Sequence, residues 1–379
     1  MRPLAVFIAA TLGVASFSTQ AADPAPADTG SLGSLSSEAG AIDWLLTVSE
    51  AARHASYEGV VVYRDADMLE TLRIIHRHKD GREQERLTSL NGPARDVFRE
   101  DDHVTCILAR NHAHDLAGNP AHKPQGPQTQ GIFPAMSRDT LTQVAGHYEF
   151  RDLGQARVAG RACRGVAITP RDEFRYGYAV WADAVTSVPL KVSLLDRQGR
   201  AVEEMLFTRV AFPASIPDQA FAIPAGKKGY IPPREPASNA ALIAAAGVNE
   251  KDLRSPALAL GAAPAWASQR LPPGFRITMR SLKPTPDGQG MIEHVLLSDG
   301  LSAVSVFSAR VPLQEKRFRG MSHMGAMHAY GRMLGTLHIT VVGEVPQSTV
   351  RLIGDSLQPA ETSGTAAATA AEPETIGKP

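Results

Sequence analysis

Gly354-Asp355-Ser356-Leu357 spells the nucleophile block of a class of lipases and esterases. A serine there attacks only beside a base, usually brought by a downstream Asp-x-x-His. Here the chain continues into Ala, Thr, Glu and Pro, so Ser356 reads as the end of a helix. His103, Cys106, His112, His114 and His122 in DDHVTCILARNHAHDLAGNPAH are types that ligate metals. Zinc ligands, however, come in paired short spacings from rigid elements, which a His-x-His on a loop does not provide. Met321, Met324, Met327 and Met333 with His323 and His328 could suit cuprous ion. Met324, Met327, Tyr330 and Leu334 also recur at helical spacing, which predicts a helix face in a core or docking a peptide.

Lys316, Arg317 and Arg319 surround Phe318, a basic loop with an aromatic tip that is either solvated or touches an acidic segment or lipid phosphate. Asp101 and Asp102, like Glu203 and Glu204, are sequence neighbours, so on strands their carboxylates point to opposite faces and cannot share a substrate. Gly-rich phosphate loops, His-Glu-x-x-His and Gly-x-Ser-x-Gly are missing. The reading is therefore a binding protein, with no catalytic residue, metal or cofactor expected.

The chain must supply elements to hold such a site. Its formal net charge is +0, with 43% hydrophobic and 21% charged residues. That is an ordinary globular composition, and it argues against nucleic acid as a partner, since phosphate binding needs concentrated basic charge. The start, MRPLAVFIAATLGVASFSTQAAD, has Arg2, an apolar run and small residues at Ala21 and Ala22, the pattern of a cleaved export signal. Cys106 and Cys163 are the only cysteines. In an oxidising compartment the expectation is a disulfide, whose loop of roughly 57 residues would give about 4 kcal/mol; the alternative is two separate buried thiols.

Ile42, Leu45, Leu46, Ser49 and Ala52 fall at helical spacing. The period then shortens to two through YEGVVVYR, LETLRIIHRH, GREQERLTSL, ARDVFRE and HVTCIL, with Asn91-Gly92-Pro93 as a turn in a hydrated rim. Ile132 to Ala145 suggests a short helix, and five more strands run to Phe212. Short connections imply antiparallel neighbours. Val202, Leu206 and Val210 oppose Met205, Phe207 and Ala211 on the last strand, so both faces look apolar; a curved sheet with an oily hollow fits, and a flattened sandwich with a filled core is the alternative.

The predicted divisions are a signal peptide (1–22), flexible lead (23–40), large domain (41–212), Pro- and Ala-rich linker (213–263), small domain (264–357) and disordered tail (358–379). The small domain should hold a hairpin turning at Asp299-Gly300 and a closing helix, STVRLIGDSL.

Several phrases carry a resemblance in their order and spacing. They are Leu90-Asn91-Gly92-Pro93 with Arg95 and Arg99; Tyr178 to Trp181; Pro189-Leu190; Leu194-Leu195-Asp196-Arg197 with Gly199; Leu271-Pro272-Pro273-Gly274-Phe275; Ser298-Asp299-Gly300-Leu301; and Val342-Gly343-Glu344-Val345-Pro346. Together they resemble the RseB/MucB family over about Ile42 to Leu357. The resemblance implies a mainly β protein: a large domain similar to the LolA and LolB carriers, an unclosed antiparallel β-barrel with helices across its mouth, and a smaller α+β domain.

It further implies a periplasmic negative regulator of sigma-E signalling. Such a protein binds the periplasmic domain of an anti-sigma factor of the RseA or MucA type, shields it from proteolysis, and releases it when a lipid or lipoprotein ligand enters the hollow. The longer His-rich loop at 109–130, the Pro-Ala linker and the acidic tail depart from the family pattern. Leu72, Ile74, Ile132, Phe133, Met136, Leu206 and Phe207 are the expected lining of the hollow, where an acyl chain would gain about 0.8 kcal/mol per buried methylene. Lys316, Arg317, Phe318, Arg319, Met324 and Met327 are the expected partner surface. Self-association is left open, and a periplasmic lipid or lipoprotein carrier of the LolA type is the rival reading.

Overall fold

The computed structural model describes residues 35, 37–65, 68–101, 103–108, 136–223, 266–284, 290–310 and 318–359. The expected signal peptide, His-rich loop, tail and most of the linker lie outside them, as do Ile132, Phe133, Lys316 and Arg317.

Helix α1 (Glu38–His54) opens the described chain. Ser37 caps it by accepting from the Gly40 amide, Glu38 sits in the first turn, and Arg53 and His54 in the last, each suited to the helix dipole. Ser37→Ala should cost about 0.5–2 kcal/mol, read in thermal unfolding. Strands β1 (Tyr57–Asp65), β2 (Met68–Lys79), β3 (Arg82–Ser89), β4 (Arg95–Glu100) and β5 (His103–Leu108) follow. Helix α2 (Arg138–Val144), capped by Ser137, is the core of the helix expected from 132 to 145. Then come β6 (Tyr148–Val158), β7 (Arg161–Pro170), β8 (Gly177–Asp183), β9 (Pro189–Leu195) and β10 (Ala201–Ala211).

These ten strands make one sheet in the order β5-β4-β3-β2-β1-β10-β9-β8-β7-β6, and every pair in it is antiparallel. Strands β5 and β6 end the order unjoined, so the sheet is the unclosed one expected. Asp80-Gly81 and Ala159-Gly160 both turn with positive φ, the backbone that suits two-residue hairpins.

Helices α1 and α2 bury one face. Ala41, Ile42, Leu45 and Val48 pack with Leu141 and Val144 against Tyr148, Val166, Ile168 and Val180. The neighbouring cluster joins Tyr57, Val61, Leu72, Ile74, Leu87, Val97 and Phe207. Gly59 is required at β1, because a Cβ there would collide with the Arg209 carbonyl and the Phe207 ring. The last strand differs from expectation: only Met205 and Phe207 of β10 are buried, Val202 and Leu206 are half-buried on its other face, and a register shift turns the half-buried Val210 onto the face of Phe207. One face of β10, not two, is sealed.

The expected disulfide is not formed. Cys106 and Cys163 are both free, buried thiols. They lie on β5, first in the strand order, and on β7, next to its other end, and both belong to the buried cluster around Phe207. Burial raises both thiol pKa values, Cys163 to about 11, and favours the protonated form.

The first residues of the expected linker are also ordered. A 3-10 turn, Asp218–Phe221, lies against β2 and β3, with Arg77 over the Phe221 ring and donating to the Ile216 carbonyl at 2.5 Å.

The smaller sheet contains β12 (Arg276–Pro284), β13 (Met291–Ser298), β14 (Ala303–Arg310), β15 (Gly320–Met324), β16 (Met327–Leu334) and β17 (Leu337–Gly343), ordered β12-β13-β14-β17-β16-β15. Preceding it, β11 (Trp266–Ser268) pairs with β18 (Leu357–Pro359). Helix α3 (Gln347–Ser356) buries Val350 and Ile353 on Val295, Val306, Ile339 and Val341.

The Met-rich segment is a β-hairpin, not a helix. Met324 pairs with Met327 and Met321 with Tyr330 across the turn Gly325-Ala326. Their three-residue spacing comes from that tight turn, and Gly320, Gly325, Gly331 and Gly335 weaken any helix there.

Candidate functional site

Asp299, at the expected hairpin turn, reaches from the smaller sheet into the larger. Arg175, just before β8, holds it at 2.5 Å, and neither side chain is exposed. Arg175 also pairs with Asp172 at 2.9 Å and donates to the Pro273 carbonyl at 2.5 Å. Its guanidinium lies over the rings of Tyr148 and Phe275. The Tyr148 hydroxyl bonds Asp299 at 3.1 Å and Ser302 at 3.2 Å. A buried charge is tolerated when every donor finds an acceptor, and this arginine nearly meets that condition.

Around it the sheets mesh closely. Arg276 donates to Gln143 at 2.8 Å, Ser348 to the Glu173 carbonyl at 3.0 Å and Thr349 to the Phe174 carbonyl at 2.7 Å. A Cβ on Gly274 would strike His147. Ala326, at the Met hairpin's turn, is buried against Tyr176 and Leu194, with Tyr178 and Val202 beside them. The phrases that carry the family resemblance therefore supply the junction: Pro273 and Phe275, Asp299, and Glu344, which faces Glu203.

On the helix-covered face of the larger sheet, Leu72, Ile74 and Phe207 come together, while Met136 joins the cluster under α1 through its amide bond to the Ser49 hydroxyl. Leu206, also expected there, is half-buried and outside those clusters, because alternation turns it away from Phe207.

At β2 to β4 the same face turns polar. His76 bridges the Ala55 carbonyl at 2.8 Å and Glu83 at 3.2 Å, and Tyr57 stacks on its ring. Arg99 meets Glu83 at 2.5 Å and Arg95 meets Glu70 at 2.5 Å. These arginines, expected on a wet rim, are mostly buried instead. In the turn between their strands, Asn91 accepts from the Thr71 amide and donates to the Leu69 carbonyl.

Burial works to raise the Glu83 carboxyl, but hydrogen bonds from His76 and Arg99 outweigh it and hold it at about 2. Ionised Glu83 thus stabilises the fold above its ordinary 4.5, and that contribution is lost as pH falls toward about 2. Glu83→Gln should flatten this part of the acid limb of a urea-midpoint profile.

The expected partner surface is divided. Phe318 is not an exposed tip: it packs with Met327, Phe307 and Val342, and its carbonyl accepts from His338 at 2.7 Å. Arg319 is exposed, and Met324 and Met327 flank the turn that meets the larger sheet. Glu203 and Glu204 diverge as alternation expects, Glu204 bonding Ser193 at 2.8 Å and Lys191 at 3.0 Å. Ser356 donates to its own helix at Ile353, at 2.8 Å. Among the described residues no three His, Cys, Asp or Glu groups converge as a metal site, and no helix is long and apolar enough to cross a membrane. His112, His114 and His122 lie outside the described residues.

Sequence reasoning missed the junction. Arg175 carries no local signal beyond an arginine before a strand, and Asp299 only that of a turn former.

The family model of the MucB/RseB N-terminal domain matches residues 40–225, and that of the MucB/RseB C-terminal domain matches residues 261–358. Sigma factor AlgU regulatory protein MucB of Pseudomonas aeruginosa is 32% identical, covering 85% of this chain and 92% of its own. Sigma-E factor regulatory protein RseB of Escherichia coli strain K12 is 26% identical over 81% and 87%. The crystal structure of MucB in complex with MucA(peri) aligns with a TM-score of 0.60 at 27% identity, covering 84% of this chain and 98% of that one. On the match of both family models across both sheets, the chain belongs to the MucB/RseB family.

Proposed function

We propose that this protein is a periplasmic, non-enzymatic regulator of a sigma factor. It binds the periplasmic segment of a transmembrane anti-sigma factor and protects that segment from regulated proteolysis. An envelope lipid or lipoprotein that prefers the unbound form triggers release, since a ligand shifts such an equilibrium only by its difference in affinity for the two forms. The observation that carries this reading is the likeness, over 84% of this chain and 98% of the other, to MucB held in a complex with MucA(peri).

The division into a large domain (41–212), a linker and a small domain (264–357) belongs to the same proposal, with the hollow in the first and Arg319, Met324 and Met327 contributing to the partner surface of the second. The test is retention of the full-length protein on the immobilised periplasmic segment of its host's anti-sigma factor. Retention that is lost on adding envelope lipid is expected. Failure to be retained, in a protein that still extracts lipid from vesicles, would favour a carrier.

A further inference from the structure

Where the smaller sheet meets β1 and β10, three carboxyl groups gather. Asp65 ends β1 and Glu203 lies near the start of β10; on the two-residue repeat both point the same way as Tyr63 and Met205. Glu344 arrives from the other side, directly after β17, and its carboxyl comes within hydrogen-bonding reach of Glu203. Two carboxyl groups can bond only if one keeps its proton, because an ionised carboxylate only accepts. Asp65 takes the Ala326 amide, while its Oδ1 is buried without a partner. Gly325, with φ of +56°, permits this approach, since a Cβ there would collide with the Asp65 carboxylate.

We propose that Glu344 keeps its proton against Glu203 across the junction, so that acid tightens the docking of the smaller sheet on the larger and alkali loosens it.

The surrounding groups do not supply a substitute for that proton. From β1, Tyr63 bonds Glu203, while Arg64, whose charge works to lower the Asp65 carboxyl, sends its Nη2 to the Ala201 carbonyl at 2.9 Å. Tyr176 and Tyr178 approach Glu344 from the β8 side. From β16, His328 bonds the Val345 carbonyl at 2.9 Å, and burial, with His323 nearby, lowers its pKa and disfavours its charged form. Burial, then the Glu203 and Asp65 charges, push the Glu344 carboxyl well above the ordinary glutamate range, and burial and Glu203 raise Asp65 as well.

The sign follows from linkage. The unfolded chain releases the Glu344 proton near the ordinary 4.5, the folded chain only at higher pH. The stabilisation is complete below 4.5 and is lost as pH rises through the folded value. The test is urea unfolding of the full-length protein and its Glu344→Gln and Glu203→Gln variants from about pH 5 to about pH 8.5. The expected result is a wild-type midpoint that falls across this window, with variants that unfold at higher urea than wild type at the alkaline end and change less with pH. Equal slopes in wild type and both variants overturn the proposal. Should neither variant fold, the wild type answers alone. Its infrared spectrum at neutral pH must contain the carbonyl stretch of a protonated carboxyl that disappears on raising the pH, and absence of that band overturns the proposal.

Discussion

Arg175→Ala lowers the free energy of unfolding by about 3–5 kcal/mol, because it strands the buried Asp299 carboxylate without its ion-pair partner. The loss is measured by urea denaturation. It also removes the guanidinium from between Tyr148 and Phe275 and frees the Pro273 carbonyl. Replacing Arg175 by methionine together with Asp299 by leucine should cost less than the single alanine, since no charge is then left buried. A single alanine that unfolds within about 1 kcal/mol of wild type would mean that water or rearrangement compensates Asp299, and that the pair does not hold the sheets together.

Phe207→Ala should cost about 3–5 kcal/mol, the range for a buried aromatic truncated where the walls cannot collapse. Its ring is fully buried, edge-on to Tyr57 and resting over Gly59. Those neighbours lie on β1, whose backbone is fixed on both sides by β2 and β10, so the cavity cannot close by a shift of one strand. Leu206→Ala, one residue earlier but half-buried, serves as the control and should lose much less. Comparable losses at the two positions would show that the alternation assigned to β10 is wrong.

What could be read from the residues, and what could not, follows the range of the interactions. All ten strands of the larger sheet are legible because each is an alternating or apolar run of strand length closed by a turn signal, and both are local properties. Helix α3 was legible for the same reason.

The Met hairpin was not: residues three apart face the same way on a helix, and they also sit opposite one another across a two-residue turn. Composition favoured the first reading and the glycines the second. Arg95 and Arg99 were placed in solvent because charge is usually wet, yet their partners Glu70 and Glu83 lie on other strands, which no local pattern announces. The junction was hidden more deeply, since Arg175 and Asp299 are 124 residues apart. Family phrases pointed to the segments that form it without saying that they touch.

The strand order of the larger sheet has a consequence for how the molecule is made. Strand β1 is hydrogen-bonded to β10, the last strand of its sheet. A chain delivered amino end first therefore holds β1 with one side unsatisfied until residues 201–211 emerge. Contacts this distant in sequence are slow to form, and a waiting strand edge can recruit other chains. Nascent copies should thus be vulnerable to self-association during biogenesis and gain from a holding chaperone, a need that the finished molecule no longer has.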